Sequence, residues 1–175
     1  SDDFFGILDD EEGIGADGLF RGEIDIAIGR IPVDNNYEAE NYIEKFKEYT
    51  SKEARGRWRN NICFIADDAD DGQRFHMTDA NAIAQTVSKK FLPFNVDKIF
   101  LDAYPQEASS IGESYPDVNR AIRETLSKGA LIISYTGHGG EIGLAHERIL
   151  SIGEVNQWDN RYKYPLIITA SCEVG

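Results

Sequence analysis

Apolar positions in this chain fall into a few short unbroken runs separated by longer stretches of helical spacing. Residues 130–135 (ALIISY) form one such run, bounded by Gly129 and by Thr136 with Gly-His-Gly-Gly at 137–140. A run of this length between glycines reads as a buried strand rather than a helix. Leu166–Ala170 is a second run, and it breaks directly into Ser171-Cys172-Glu173. Asn61–Ala66, residues 96–101 and residues 24–28 (IDIAI) complete the predicted strands, with Pro32 closing off the last of these.

The stretches between them carry apolar residues every three to four positions. A helix capped by Asn35 or Asn36 is expected to run to about Thr50, with Ala39, Ile43, Phe46 and Tyr49 on one face. Residues 75–91 place Met77, Ala80, Ala84, Val87 and Phe91 on another such face, and His76 at the start reads as a surface or capping group. Ser114-Tyr115-Pro116-Asp117 has capping-box spacing with proline in the first turn, opening a helix that ends at Gly129. Residues 102–113 read as a polar loop, and Ser151-x-x-Glu154 caps a short helix through Trp158.

From Asn61 onward the order is strand, helix, strand, helix, strand, helix, strand. Connections long enough to carry helices favour an α/β fold: a mostly parallel sheet flanked by helices. Residues 58–175 would make that core, residues 1–57 an N-terminal part, and the polar stretch 51–59 the connector. The chain ends three residues after Cys172, straight after a strand, so a fragment of a larger domain is expected.

Composition narrows the function. A net charge of −13 over 175 residues argues against non-specific nucleic-acid binding and against attraction to anionic lipid. No apolar run approaches membrane-spanning length. The acidic start SDDFFGILDDEEG lacks the basic-then-apolar order of a signal peptide, so an export signal would lie outside these residues. Two cysteines do not make a disulfide scaffold. Cys63 falls inside an apolar run and reads as a small buried hydrophobe, whereas Cys172 falls at a strand end.

In a parallel sheet every strand's C-terminal end faces the same edge, where open α/β sheets bind and react. Residues 67–71, His138 and Cys172 follow three different strands and would gather there. An imidazole beside a thiol accepts its proton or stabilises the thiolate, which makes Cys172 a candidate nucleophile and His138 its candidate base. Asp79, early in the helix after the acidic loop, is the candidate carboxylate to orient the imidazole. Backbone N–H groups of Gly139 and Cys172 are candidates for an oxyanion hole. The clusters at 9–22 and at Asp67, Asp68, Asp70 and Asp71 are either calcium loops or solvated turns. Zinc is disfavoured, because His138, Cys172 and His146 supply too few soft ligands. His146 reads as structural or substrate-lining.

Several motifs carry a family resemblance: Tyr-Thr-Gly-His-Gly-Gly at 135–140, Thr-Ala-Ser-Cys-Glu at 169–173, Asp-Ile-Ala-Ile-Gly-Arg-Ile-Pro-Val at 25–33 and Trp58 to Asp68. In order and spacing they resemble the gingipain-type cysteine peptidases, family C25 of the caspase-like clan. The resemblance implies a caspase-like sheet, His138 and Cys172 as the catalytic pair, Asp79 in an Asp-Gly-x6-[Asp/Glu] setting as the third member, Gly139 as oxyanion donor, and structural calcium, with no cofactor required for the chemistry. Gly137–Leu150 is similar to the branch of the family that removes C-terminal sorting domains from proteins exported through type IX secretion. That branch implies a cell-surface, outer-membrane-associated enzyme in a Bacteroidetes-type bacterium. Its partners would be those sorting domains and other secretion-system components. The competing reading is a non-catalytic, calcium-stabilised interaction module on a peptidase scaffold, for which high negative charge is the motive.

Overall fold

The computed structural model describes residues 2–9, 12–69, 72, 74–110 and 112–172. The elements are β1 (Gly13–Ile14), β2 (Phe20–Arg21), α1 (Asn36–Thr50), β3 (Asn61–Ala66), α2 (Phe75–Lys90), β4 (Asn95–Phe100), β5 (Glu107–Ser109), β6 (Gly112–Ser114), α3 (Pro116–Lys128), β7 (Ile132–Thr136), β8 (Gly139–Gly140), β9 (Gly143–Leu144), β10 (Leu150–Ser151), α4 (Ile152–Val155) and β11 (Leu166–Ala170). They divide into two compact units, Ser1–Glu44 and Lys45–Gly175.

In the larger unit the four predicted apolar runs pair into one sheet of order β11-β7-β3-β4, every neighbour parallel. The pleat sends alternate residues to opposite faces. Cys63 and Ile65 point into the cluster built with Val118, Ile122 and Leu126 of α3, while Ile62 and Phe64 pack with Ala84 of α2. Helices on both faces bury the central strand β3, which explains its near-continuous apolar sequence. Each fully buried aliphatic side chain contributes roughly 1.5–3 kcal/mol.

The sheet's N-terminal edge is tied by side chain and backbone together. Asn61 Nδ2 donates to the Gly129 carbonyl (3.0 Å), Asn95 Nδ2 donates to Asn61 Oδ1 (3.1 Å), and the Leu131 N–H donates to the Asn61 carbonyl (2.8 Å). Gly129 sits at φ 91° with the Trp58 ring against it, so a side chain there would be strained and would collide with Trp58. Trp58 is itself buried, its indole N–H donating to the Ala54 carbonyl at 3.0 Å.

Five local expectations differ. Residues 24–28 form no strand: the Asp25 carboxylate accepts the Leu8 N–H (2.8 Å), and its own N–H goes to the Gly6 carbonyl (2.9 Å), so its hydrogen bonds lie in a loop. Helix α1 begins as expected, with Asn35 Oδ1 accepting the Glu38 N–H (3.0 Å), but buries no residue, Ile43 and Phe46 standing exposed. Residues 102–113 contain a short helical turn and the antiparallel pair β5–β6 rather than loop alone. Ser114 is drawn into that hairpin, its hydroxyl donating to the Glu107 carbonyl (3.3 Å), so α3 starts at Pro116 without a side-chain cap. The Ser151–Glu154 capping box does form. Strand β11 pairs as expected but is not buried: among the described residues it hydrogen-bonds β7 alone, and Leu166, Ile167 and Ile168 are exposed.

Candidate active site

The parallel ladders continue one residue past the ends of the strands. The Asp67 N–H donates to the Thr136 carbonyl (3.1 Å), and the Gly137 N–H donates to the Ala170 carbonyl (3.3 Å). Asp67, Gly137 and Ala170 are thereby fixed side by side at the C-terminal edge. His138 follows one residue later on the central strand and Cys172 two residues later on the edge strand. The registered pair Ala170↔Thr136 sets both offsets.

Asp67 organises this edge from below. It is buried, and its Oδ2 accepts the His138 N–H at 2.8 Å. The Tyr135 hydroxyl donates to the His138 carbonyl and stands 3.3 Å from the same carboxylate oxygen. Burial and the adjacent Asp67 charge push the Tyr135 phenol well above its ordinary range, so it stays a proton donor. Gly137 is required by space, since a Cβ there would run into Asp67 and the Tyr135 ring. The His138 carbonyl also accepts the Ala145 N–H (2.9 Å), which closes the hairpin that β8 and β9 form after the histidine. The predicted glycine turn is thus the start of a three-stranded antiparallel sheet, β10-β9-β8. An open cleft of about 380 Å³ lies above it, lined by His138, Gly139, Gly140, His146 and Arg148.

The two cysteines separate as expected. Cys63 is buried in the core, and burial, reinforced by the Asp97 charge, pushes its thiol up to about 12. Cys172 is exposed at the edge, and both thiols are free. Asp79 lies on the exposed side of α2, and among the described residues no hydrogen bond joins it to His138. The ring that meets His138 is instead His76, at 5.0 Å between centroids and 82° between planes. His76 is buried, contrary to its reading as a surface or capping group. The missed signal is a stripe at 76, 80 and 84, four residues apart, whose three members all lie inward. His146 stacks on His138 at 4.9 Å and 11°.

Of the four acidic residues after β3, Asp67 and Asp68 are buried, and Asp70 and Asp71 lie outside the described residues. Asp68 accepts the Tyr115 hydroxyl at 2.7 Å. Oxygens of Asp67, Asp68 and Glu147 come within 4.8 Å of one another. In the smaller unit Asp9, Glu12 and Asp25 gather in the same way, while Asp10 and Glu11 lie outside the described residues.

With this geometry in view, a model of peptidase family C25 matches residues 1–175. The chain belongs to peptidase family C25. Among solved structures it resembles the Arg specific cysteine proteinase gingipain R (RGPB), with a TM-score of 0.61 and 18% identity over 97% of this chain and 35% of that one. It also resembles the complex of Porphyromonas gingivalis RgpB pro- and mature domains, with a TM-score of 0.58 and 18% identity over 80% of this chain and 31% of that one. At that identity the likeness shows the gingipain fold, a mostly parallel sheet between helices. The chain spans about a third of the length of these structures. No curated protein matches it. Among the described residues no helix is long and apolar enough to cross a membrane.

Proposed function

We propose that this C25 chain carries the catalytic pair of a gingipain-type cysteine endopeptidase or transpeptidase. Cys172 is the nucleophile, His138 its general base and then acid, and Asp79 the acidic third member. The observation that carries the reading is the Gly137–Ala170 hydrogen bond, which brings the residues before His138 and Cys172 into register on adjacent parallel strands. Neighbouring strands run about 4.8 Å apart, within the reach of an imidazole and a thiol placed one and two residues further on.

In this mechanism His138 takes the Cys172 proton, and the thiolate attacks a peptide carbonyl. The oxyanion is met by the N–H groups of Gly139 and Cys172. His138 then protonates the leaving amine, and water or an amine releases the acyl group. The Asp67 bond to the His138 N–H, with Tyr135 beneath, holds the backbone of the base in place.

The stretch 137–150 resembles PorU, the type IX secretion sortase, so the proposed substrates are C-terminal sorting domains of exported proteins. The proposed location is the outer surface of a Bacteroidetes-type cell, beside other secretion-system components. Structural calcium is also proposed: the all-oxygen set of Asp67, Asp68 and Glu147 suits a hard cation and would hold it, and the ion would offset their clustered charge.

The test uses the full-length protein in cells. Wild type is compared with Cys172→Ala and His138→Ala, following exported cargo by mass spectrometry. Both variants are expected to accumulate uncleaved cargo, and a mass added to the new cargo C-terminus in wild type identifies transfer. Normal processing in both variants would sink the proposal and favour the interaction-module reading.

A further inference from the structure

The chain has three histidines, and the fold brings all of them to one place. His76 comes from the first turn of α2, His138 from the end of β7 and His146 from the loop after β9. A nitrogen of His76, a nitrogen of His138 and an oxygen of Asp67 lie within 4.8 Å of one another. An independent observation singles out His76. It is 9% exposed, and its Nε2 has no hydrogen-bond partner among the described residues. The Phe75 ring packs on it at 3.9 Å but offers that nitrogen nothing to bond. A buried imidazole nitrogen left without a partner has lost its water and gained nothing in exchange.

We propose that Asp67, His76 and His138 form a binding site for a divalent cation of the zinc class, and that the bound ion withdraws His138 from Cys172. The donor set decides the class of ion. Two imidazoles with one carboxylate suit Zn2+, Co2+ or Ni2+, whereas Ca2+ and Mg2+ take oxygen. Ligands around tetrahedral zinc, each about 2.0–2.2 Å from the metal, stand roughly 3.4 Å apart. Rotation of His138, which lies at the surface, closes the remaining gap. Three protein ligands leave a fourth position open to water. Asp67 is already oriented for the role by the N–H groups of His138 and Asp68 and by the Tyr135 hydroxyl, the outer-shell support that metal-binding carboxylates have. The site differs in kind from the carboxylate set that Asp67 shares with Asp68 and Glu147. Metal binding follows from the ligands alone; inhibition rests on the function proposed above.

The experiment uses the full-length protein, stripped of metal and tested both as wild type and as Cys172→Ala. Co2+ is titrated against its visible tetrahedral absorption, then displaced by Zn2+. One equivalent is expected to bind in both backgrounds, with micromolar or tighter affinity for Zn2+. His76→Gln and the surface variant His138→Gln should each weaken Zn2+ at least tenfold, with melting temperature checked for each. In wild type, cargo cleavage should fall over the Zn2+ range that fills the site, and His76→Gln should move that inhibition by the same factor. Two results would overturn the site: no saturable cobalt spectrum, or binding lost in Cys172→Ala. Loss in His146→Gln with none in His76→Gln would overturn it too, since the ion would then lie on the outer ring. A protein with the cobalt spectrum but no peptidase activity upholds the site and overturns the proposed function.

Discussion

Strands β7 and β11 are neighbours in one sheet, parallel and in register, yet they live in different surroundings. Ile133 and Ile167 face each other across the ladder, one 5% exposed and the other 39%. The contrast repeats in the two thiols: Cys63 on central β3 is shut into the core, while Cys172 beyond β11 stands open. Central strands hold position, and the edge strand presents a group. A histidine anchored to the centre and a cysteine carried on the edge are thus positioned by unequal means: His138 has a carboxylate and a phenol beneath it, while Cys172 depends on one ladder.

The largest expected effect tests that division. Cys172→Ala in the full-length protein should lower peptidase turnover by about 10³-fold or more, with the denaturation midpoint unchanged. An unfolding shift would mean that the edge thiol supports structure after all. Next, Ile133→Ala should cost about 2–5 kcal/mol in urea titrations of this chain, because the closed core collapses only partly around the cavity. Asp67→Ala should cost about 2–3 kcal/mol, since it strands the His138 and Asp68 N–H donors. Its urea midpoint is the readout.

Cys63 marks the centre through pH. Its thiol is held up at about 12 in the folded chain against an ordinary value of 9.0. The folded state keeps the proton where the unfolded state gives it up, so this contribution is complete below about pH 9 and is lost as pH rises towards 12. Cys63→Ala should flatten that part of the stability profile. Native alkylation at pH 8 should label Cys172 and spare Cys63. The smallest effect is Ile167→Ala, below about 1 kcal/mol in this chain; a cost equal to that of Ile133→Ala in the full-length protein would show β11 covered there.

Much of this contrast was legible in the residues. Unbroken apolar runs located all four strands of the parallel sheet, and their breaks placed His138 and Cys172 at the shared C-terminal edge. Three things were not legible. Strand β11 is as apolar as β7, and hydropathy does not say which strand of a sheet lies at its edge. Ser114 had a cap's spacing, but a hairpin with Glu107 claimed its hydroxyl, a long-range competitor that local spacing does not register. His76 reads as a surface or capping group because it stands alone at a helix start; its four-residue spacing to Ala80 and Ala84 puts it on the buried face, a signal that its polar side chain hides.

The Asn61 tie at the far edge of the sheet has a consequence for accuracy at the site. A slip of one residue between β3 and β7 would turn every side chain of the slipped strand to the opposite face. It would lift His138 off Asp67. The same slip would also break the Asn61 bonds to Gly129 and Leu131, at the opposite end of the strands. A misregistered sheet is thus penalised at a place that takes no part in chemistry. Asn61 acts as a distant alignment mark, and an Asn61→Ala chain would be expected to err in where it puts its histidine before it fails to fold.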